Sequence, residues 1–175
     1  MSELLASLKY AAYLEGEFVT RSGKPTTYYI DKYLFETKPE ILNPLCDALA
    51  LLFPPSDSYD RIAAPELGAV SLAALLSVKL NKPFVIVRKS DKGYGTRRLI
   101  EGEFHPKERM VVIEDILTTG GAVMQACDVL KSESVNIVRI VGVINRQEGA
   151  FENLHNAGYS DVKALFTTAD LKSCQ

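Results

Sequence analysis

The chain has 175 residues, 47% hydrophobic and 24% charged, proportions that suit one globular domain with room for a sizeable core. A net charge of −2 lacks the basic excess of nucleic-acid binders, and no apolar run approaches the ~20 residues that span a bilayer. These features argue against nucleic acid as the main partner and against a membrane span. The start Met-Ser-Glu-Leu-Leu has no basic segment leading into an apolar one, so the expectation is a cytoplasmic protein without an export signal.

In chain order, Leu4, Leu5, Leu8, Ala11, Ala12 and Leu14 recur at helical spacing and predict a first helix over residues 2–14. Two short β pieces, Phe18-Val19 and Tyr28-Tyr29-Ile30, flank the turn Arg21-Ser22-Gly23-Lys24-Pro25. Pro39 opens a helix that runs to Leu52, where Pro54-Pro55 closes it. Strands and helices then alternate: a short strand at Arg61–Ala64, a helix at Leu72–Leu80, and buried strands at Phe84–Val87 and Met110–Ile113. A helix at 121–132, a strand at Val135–Val143, a shorter helix and a last strand at Ala164–Phe166 follow. Such alternation predicts right-handed βαβ units and a mostly parallel sheet, whose ligands bind at the carboxyl ends of its strands.

Residues 88–107 break this rhythm. They hold Gly93, Gly95 and Gly102, a cluster of Lys and Arg, and no helical period, which predicts a long loop that closes over an anionic ligand. Cys46, Cys127 and Cys174 are odd in number and widely spaced, fitting neither a disulfide framework nor a zinc site. Cys46 and Cys127 are expected to pack as small hydrophobes. The two histidines, His105 and His155, lie in polar surroundings and make a histidine metal site improbable.

The most informative stretch is Val111 to Ala122. A doubly buried strand is predicted to stop at the adjacent carboxylates Glu114 and Asp115. A Thr118-Thr119-Gly120-Gly121 turn then opens onto a helix. Carboxylates accept hydrogen bonds from sugar hydroxyls, and free N–H groups at a helix start with threonine hydroxyls suit a phosphate.

Glu114-Asp115 with Thr118-Thr119-Gly120-Gly121 resembles the phosphoribosyl pyrophosphate motif of the type I phosphoribosyltransferases. Three further stretches resemble the orotate phosphoribosyltransferases within that family: Phe18 to Gly23 with Tyr28 to Asp31, Arg88 to Gly95 with Ile100-Glu101-Gly102, and Asn145 to Gly149. The likeness covers essentially the whole chain. It implies an α/β phosphoribosyltransferase fold: a single domain, 1–175, with a central sheet flanked by helices, an N-terminal hood over about 1–35 and a flexible lid over about 88–107.

It also implies Mg²⁺-dependent transfer of the 5-phosphoribosyl group from phosphoribosyl pyrophosphate to orotate, within pyrimidine biosynthesis. Mg²⁺ is expected to be held mainly by substrate oxygens. The lid is expected to be shared between the subunits of a homodimer. The implied donor site comprises Arg88, Lys89, Lys92, Tyr94, Glu114, Asp115, Ile116, Leu117, Thr118, Thr119, Gly120, Gly121 and Ala122, with Leu67 and Gly68 in the pyrophosphate loop. Lys92, Glu114 and Asp115 carry the catalytic expectation, and Arg21, Tyr29, Ile30, Thr118 and Arg146 the orotate site. Tyr94 stands where many members carry histidine, Arg21 where lysine is common, and Ala69 and Ser71 where relatives often have glycine and proline. Two other functions are open at this point: a related transferase for another nucleobase, and a non-catalytic sensor of phosphoribosyl pyrophosphate.

Overall fold

The computed structural model describes residues 1–19, 23, 25–90 and 98–174. Helix α1 (Ser2–Ala12) leads into an antiparallel pair, β1 (Tyr13–Val19) and β2 (Pro25–Ile30), in which Tyr13 lies opposite Ile30. The predicted first helix stops two residues short, because Tyr13 and Leu14 pair with β2. A four-residue helix α2 (Tyr33–Glu36), too short to give a periodic signal, precedes α3 (Pro39–Ala50). Proline at the first turn suits α3, since its missing N–H would lack an intrahelical partner anyway. Its buried stripe, Ile41, Leu45 and Leu49, repeats every four residues.

The central sheet has the order β5-β4-β3-β6-β7-β8, formed by β3 (Arg61–Pro65), β4 (Phe84–Val87), β5 (Ile100–Glu101), β6 (Arg109–Leu117), β7 (Asn136–Asn145) and β8 (Val162–Thr167). All neighbours are parallel except β4 with β5. Helix α4 (Ala69–Leu80) carries the chain from β3 outward to β4. Helix α5 (Gly121–Ser132) carries it from β6 outward to β7 in the opposite direction. Two right-handed crossovers diverging from adjacent strands put α4 and α5 on opposite faces. The two cores show this: Leu72, Ala73 and Leu76 of α4 pack with Val111 and Ile113, while Val123, Cys127 and Leu130 of α5 pack with Met110 and Val112. Between β3 and β6 the connections part, leaving a crevice at the carboxyl ends of those strands where open α/β sheets hold their ligands.

Two sequence expectations need correction. Strand β6 does not stop at the carboxylates but runs through them to Leu117, because Glu114, Ile116 and Leu117 stay paired with Gly142, Ile144 and Asn145. Gly142 leaves room for this, since a Cβ there would collide with the buried Leu117 side chain. Residues 88–107 are not one continuous loop: Ile100 and Glu101 add an antiparallel edge strand to β4, and the Arg88 N–H donates to Leu99 O at 2.8 Å. Ile100 is buried, so burial of its side chain holds a strand too short to be read from periodicity. The remaining helices, α6 (Ala150–Asn156) and α7 (Thr168–Ser173), were a general expectation and unforeseen, respectively. Helix α7 starts with a capping box between Thr167 and Asp170. Cys46 and Cys127 are fully buried in the cores, as their neighbours predict.

Candidate active site

Strand β6 delivers Glu114 and Asp115 into the crevice, 9% and 2% exposed. Asp115 is held from three sides. Its Oδ1 accepts the Ile116 N–H at 2.5 Å, and its Oδ2 accepts from the Lys32 ammonium, which stands between β2 and α2. The backbone of Gly68 closes the third side, because a Cβ at that position would collide with both the Asp115 carboxylate and the Lys32 ammonium. Glu36 of α2 is the third buried carboxyl of the group.

Three acids around one lysine cannot all ionise cheaply. Burial, then the charge of Asp115, pushes the Glu36 carboxyl up to about 8, with Lys32 opposing. The same two causes raise Glu114 well above the ordinary carboxylate range. Burial pulls the Lys32 ammonium down, but the charge and hydrogen bond of Asp115 outweigh it and hold Lys32 above the usual lysine value. Glu114 Oε2 and Glu36 Oε1 find no hydrogen-bond partner among the described residues.

After β6 the chain turns at Gly120, whose φ of +83° is a left-handed conformation that favours glycine. Helix α5 begins there without a side-chain cap, so its first N–H groups remain available beside Thr118, Thr119, Gly121 and Ala122. Asn153 of α6 donates to Thr119 O at 2.9 Å and steadies the turn from behind. Leu117 is buried and its carbonyl accepts the Arg146 N–H at 2.8 Å, so it shapes the loop from within the fold.

Across the crevice, the loop after β3 carries Glu66, Leu67 and Gly68. Glu66 accepts the Lys89 N–H at 2.8 Å and faces the Arg88 guanidinium at 3.6 Å, fastening the end of β4 to this loop. Leu67 is exposed. Arg88, Lys89 and Ala122 share a cleft of about 310 Å³ that joins this corner to the start of α5.

Beyond β7, Arg146 lies with its guanidinium carbon 5.1 Å from the Tyr28 ring centre, near enough for a cation–π contact, and pairs with Glu148 at 2.9 Å. Tyr28 stacks on Tyr13 at 5.4 Å, and its hydroxyl accepts from Arg146 at 3.3 Å. The sequence reading named Tyr29 and Ile30 as the wall over a base. Ile30 instead sits in the core, 4% exposed, because β2 turns it inward opposite Tyr13. Tyr29 is exposed against Phe18. The aromatic side chain beside Arg146 is Tyr28. Arg21, Lys92 and Tyr94 lie outside the described residues.

Residues 56–162 match the phosphoribosyl transferase domain family. The chain is 39% identical over 171 residues to the orotate phosphoribosyltransferase of Methanocella arvoryzae, covering 97% of this chain and 96% of the relative. The chain belongs to the orotate phosphoribosyltransferases. The family's Thermococcus gammatolerans enzyme is 42% identical over 154 residues, 87% of this chain and 82% of the relative. The crystal structure of orotate phosphoribosyltransferase from Aeropyrum pernix superposes with a TM-score of 0.86 at 29% identity, covering 96% of this chain and 95% of that one. Among the described residues, no helix is long and apolar enough to cross a membrane.

Against the expectation for an orotate phosphoribosyltransferase, the structure sets Glu114 and Asp115, with Gly68 against Asp115, and the Thr118–Ala122 turn, Arg88, Lys89 and Arg146 at the carboxyl ends of the neighbouring strands β3, β4, β6 and β7. Sequence reasoning missed Lys32, Glu36, Glu66 and Tyr28 as parts of this arrangement. Lys32 and Glu36 stand outside any chemical motif the sequence offers; Glu66 lies within the pyrophosphate loop but was given no role there, and Tyr28 was visible as an aromatic strand residue but not as the neighbour of Arg146.

Proposed function

We propose that this chain transfers the 5-phosphoribosyl group from phosphoribosyl pyrophosphate to orotate, yielding orotidine 5′-monophosphate and pyrophosphate. One observation carries the reading: the buried acids of β6, the uncapped start of α5 and Arg146 after β7 all lie at the carboxyl ends of adjacent parallel strands. The acids suit ribose hydroxyls, the helix start suits a phosphate, and the guanidinium suits the ring carboxylate that distinguishes orotate from other bases.

In this reading the Thr118–Ala122 turn binds the 5′-phosphate, and Glu114 and Asp115 take the ribose 2′ and 3′ hydroxyls. Arg146, with Tyr28 beneath it and Thr118 nearby, orients orotate, and Arg21 and Tyr29 complete the approach. Leu67 and Gly68 offer main chain to the diphosphate, while Arg88, Lys89, Lys92 and Tyr94 meet it from the lid. The C1–O bond breaks with its electron pair leaving on pyrophosphate. The orotate ring nitrogen bonds to C1 and gives up its proton, which the departing pyrophosphate takes. Cations poised where negative charge develops stabilise the transition state, and an oxocarbenium-like ribose needs positioning rather than a covalent nucleophile.

Mg²⁺ fits this crevice as a hydrated ion held by substrate oxygens, because the unpartnered Glu114 Oε2 can accept from a water of its shell. When bound it neutralises charge on the diphosphate. The protein's part is to hold that oxygen buried and aimed at the site. The lid at about 88–107 would close over the crevice of a neighbouring subunit in a homodimer, and residues 1–35 would serve as the hood, all within a cytoplasmic single-domain enzyme.

Pyrophosphate release from phosphoribosyl pyrophosphate, measured with orotate, uracil, adenine and hypoxanthine in turn, tests the assignment. Release with orotate alone is the expected result. Release with a purine and none with orotate would replace the acceptor.

A further inference from the structure

Lys32 belongs to no motif, yet it makes the ion pair at the centre of the crevice. Resting on the reading that Asp115 takes the ribose and the loop after β3 takes the diphosphate, we propose that Lys32 serves both in turn. It holds Asp115 while the site is empty, and it turns to the diphosphate once ribose hydroxyls have replaced it on Asp115.

Four observations point this way. The Lys32 side chain is 28% exposed while that of Asp115 is 3% exposed, so the lysine closes the pair from the cleft side and can leave without opening the core. Its ammonium lies against the Gly68 backbone, where any Cβ would strike it; it is already beside the loop assigned to the diphosphate. That loop, Pro65 to Ala69, has no cation of its own, and its one charged side chain, Glu66, is engaged with Arg88 and the Lys89 N–H. The other carboxyls near Lys32 are Glu36, pushed up to about 8 and so largely neutral at pH 7, and Glu114, raised well above the ordinary carboxylate range by burial and then Asp115, which makes both weak rivals for the displaced ammonium.

The physical requirement is simple. A half-buried ammonium that loses one anion needs another, and a lysine on a flexible four-carbon stem can reach for it. The incoming negative charge nearest its present position is the diphosphate. Such an exchange links sugar binding to charge delivery: occupancy of Asp115 releases the cation that the leaving group needs.

The test separates the two duties with two simple ligands titrated calorimetrically into the wild-type protein and Lys32→Gln: ribose 5-phosphate alone, then pyrophosphate with Mg²⁺ into protein saturated with ribose 5-phosphate. Glutamine keeps a donor for Asp115 and removes the charge. The expected result is opposite responses: pyrophosphate binding weakens by at least about tenfold, as for loss of a charge-assisted contact, and ribose 5-phosphate binding is unchanged or tighter. Lys32→Arg keeps the charge and should restore pyrophosphate binding to within about threefold, with melting curves confirming that both variants fold. Parallel weakening of both ligands, or unchanged pyrophosphate binding, overturns the proposal. Opposite responses in a protein that turns over no base would uphold Lys32 while removing the transferase reading. A wild-type protein that binds neither ligand would overturn both.

Discussion

Lys32 and Asp115 stand 83 residues apart in the chain and form an ion pair at the centre of the crevice, with the Gly68 backbone pressed against both. The turn after β2, the strand that carries the acids and the loop after β3 thus meet at one point. Two other cations on the crevice rim are matched in the same way, Arg88 by Glu66 and Arg146 by Glu148. These three cations are each held by a carboxylate of the protein, so a substrate anion that takes one of them would replace a carboxylate.

Gly68→Ala tests the three-way junction. The backbone at 68 is in ordinary helical space, with φ of −60°, so alanine is not strained there; its methyl meets the Asp115 carboxylate and the Lys32 ammonium. The variant should melt below wild type, because its methyl must displace a buried ion pair, and lose about 100-fold or more in kcat/KM for phosphoribosyl pyrophosphate, since a misplaced acid forfeits transition-state positioning. Steady-state kinetics with a thermal melt on the same preparation checks both halves.

Glu36→Gln tests the buried acid group by pH. The folded-state carboxyl sits near 8 and the unfolded one near 4.5, so the folded state binds this proton more tightly. Its contribution to stability is complete below the unfolded value and is lost as pH rises through about 8. Glutamine is neutral throughout and lacks that loss. Relative to wild type, the variant should gain on the order of 1–3 kcal/mol between pH 5 and pH 8, read from denaturant melts at both values. A constant difference across that window would contradict the assignment.

Glu148→Ala removes the carboxylate that pairs with Arg146. Glu148 is exposed and its pair with Arg146 reaches the surface, where such pairs contribute ~0–1 kcal/mol. Freed of this competitor, Arg146 should bind orotate with a KM lower by up to about fivefold, with kcat little changed. Initial rates against orotate concentration provide the measurement; a raised KM would mean that Glu148 orients the guanidinium instead.

Asn153→Ala removes the amide that donates to Thr119 O. The turn before α5 would lose one restraint worth roughly 1 kcal/mol. The KM for phosphoribosyl pyrophosphate should rise by about three- to tenfold with kcat nearly intact, a pattern of weakened ground-state binding.

Much of this molecule was legible in the sequence because the signals were local. Apolar runs such as Phe84–Val87 and the 3.6-residue spacing of Val123, Ala126, Cys127 and Leu130 mark a strand and a helix that the structure reproduces. The acid–threonine–glycine run placed the crevice at the end of β6. What was illegible depends on tertiary contacts. Strand β5 is two residues held by burial of Ile100, and β6 passes its own acids because β7 keeps pairing with it. Lys32 and Glu36 were overlooked, and Glu66 was read only as part of the pyrophosphate loop, because an ordinary Lys or Glu gives no signal until the fold sets it beside an opposite charge. Ile30 was misread for the same reason: the β1–β2 register, not the local sequence, decides that it faces inward and that Tyr28 meets Arg146.

The central claim is that Arg146 selects an acidic base for a ribosyl donor held by Glu114 and Asp115. Loss of orotate absorbance on adding phosphoribosyl pyrophosphate and Mg²⁺ tests it most directly, run with wild type and Arg146→Ala side by side. The account predicts a Mg²⁺-dependent fall in absorbance for wild type and a rate reduced by about 100-fold or more in the variant, as one buried charge-assisted contact requires. An absorbance that stays flat with wild type, or falls equally fast without Arg146, would contradict it.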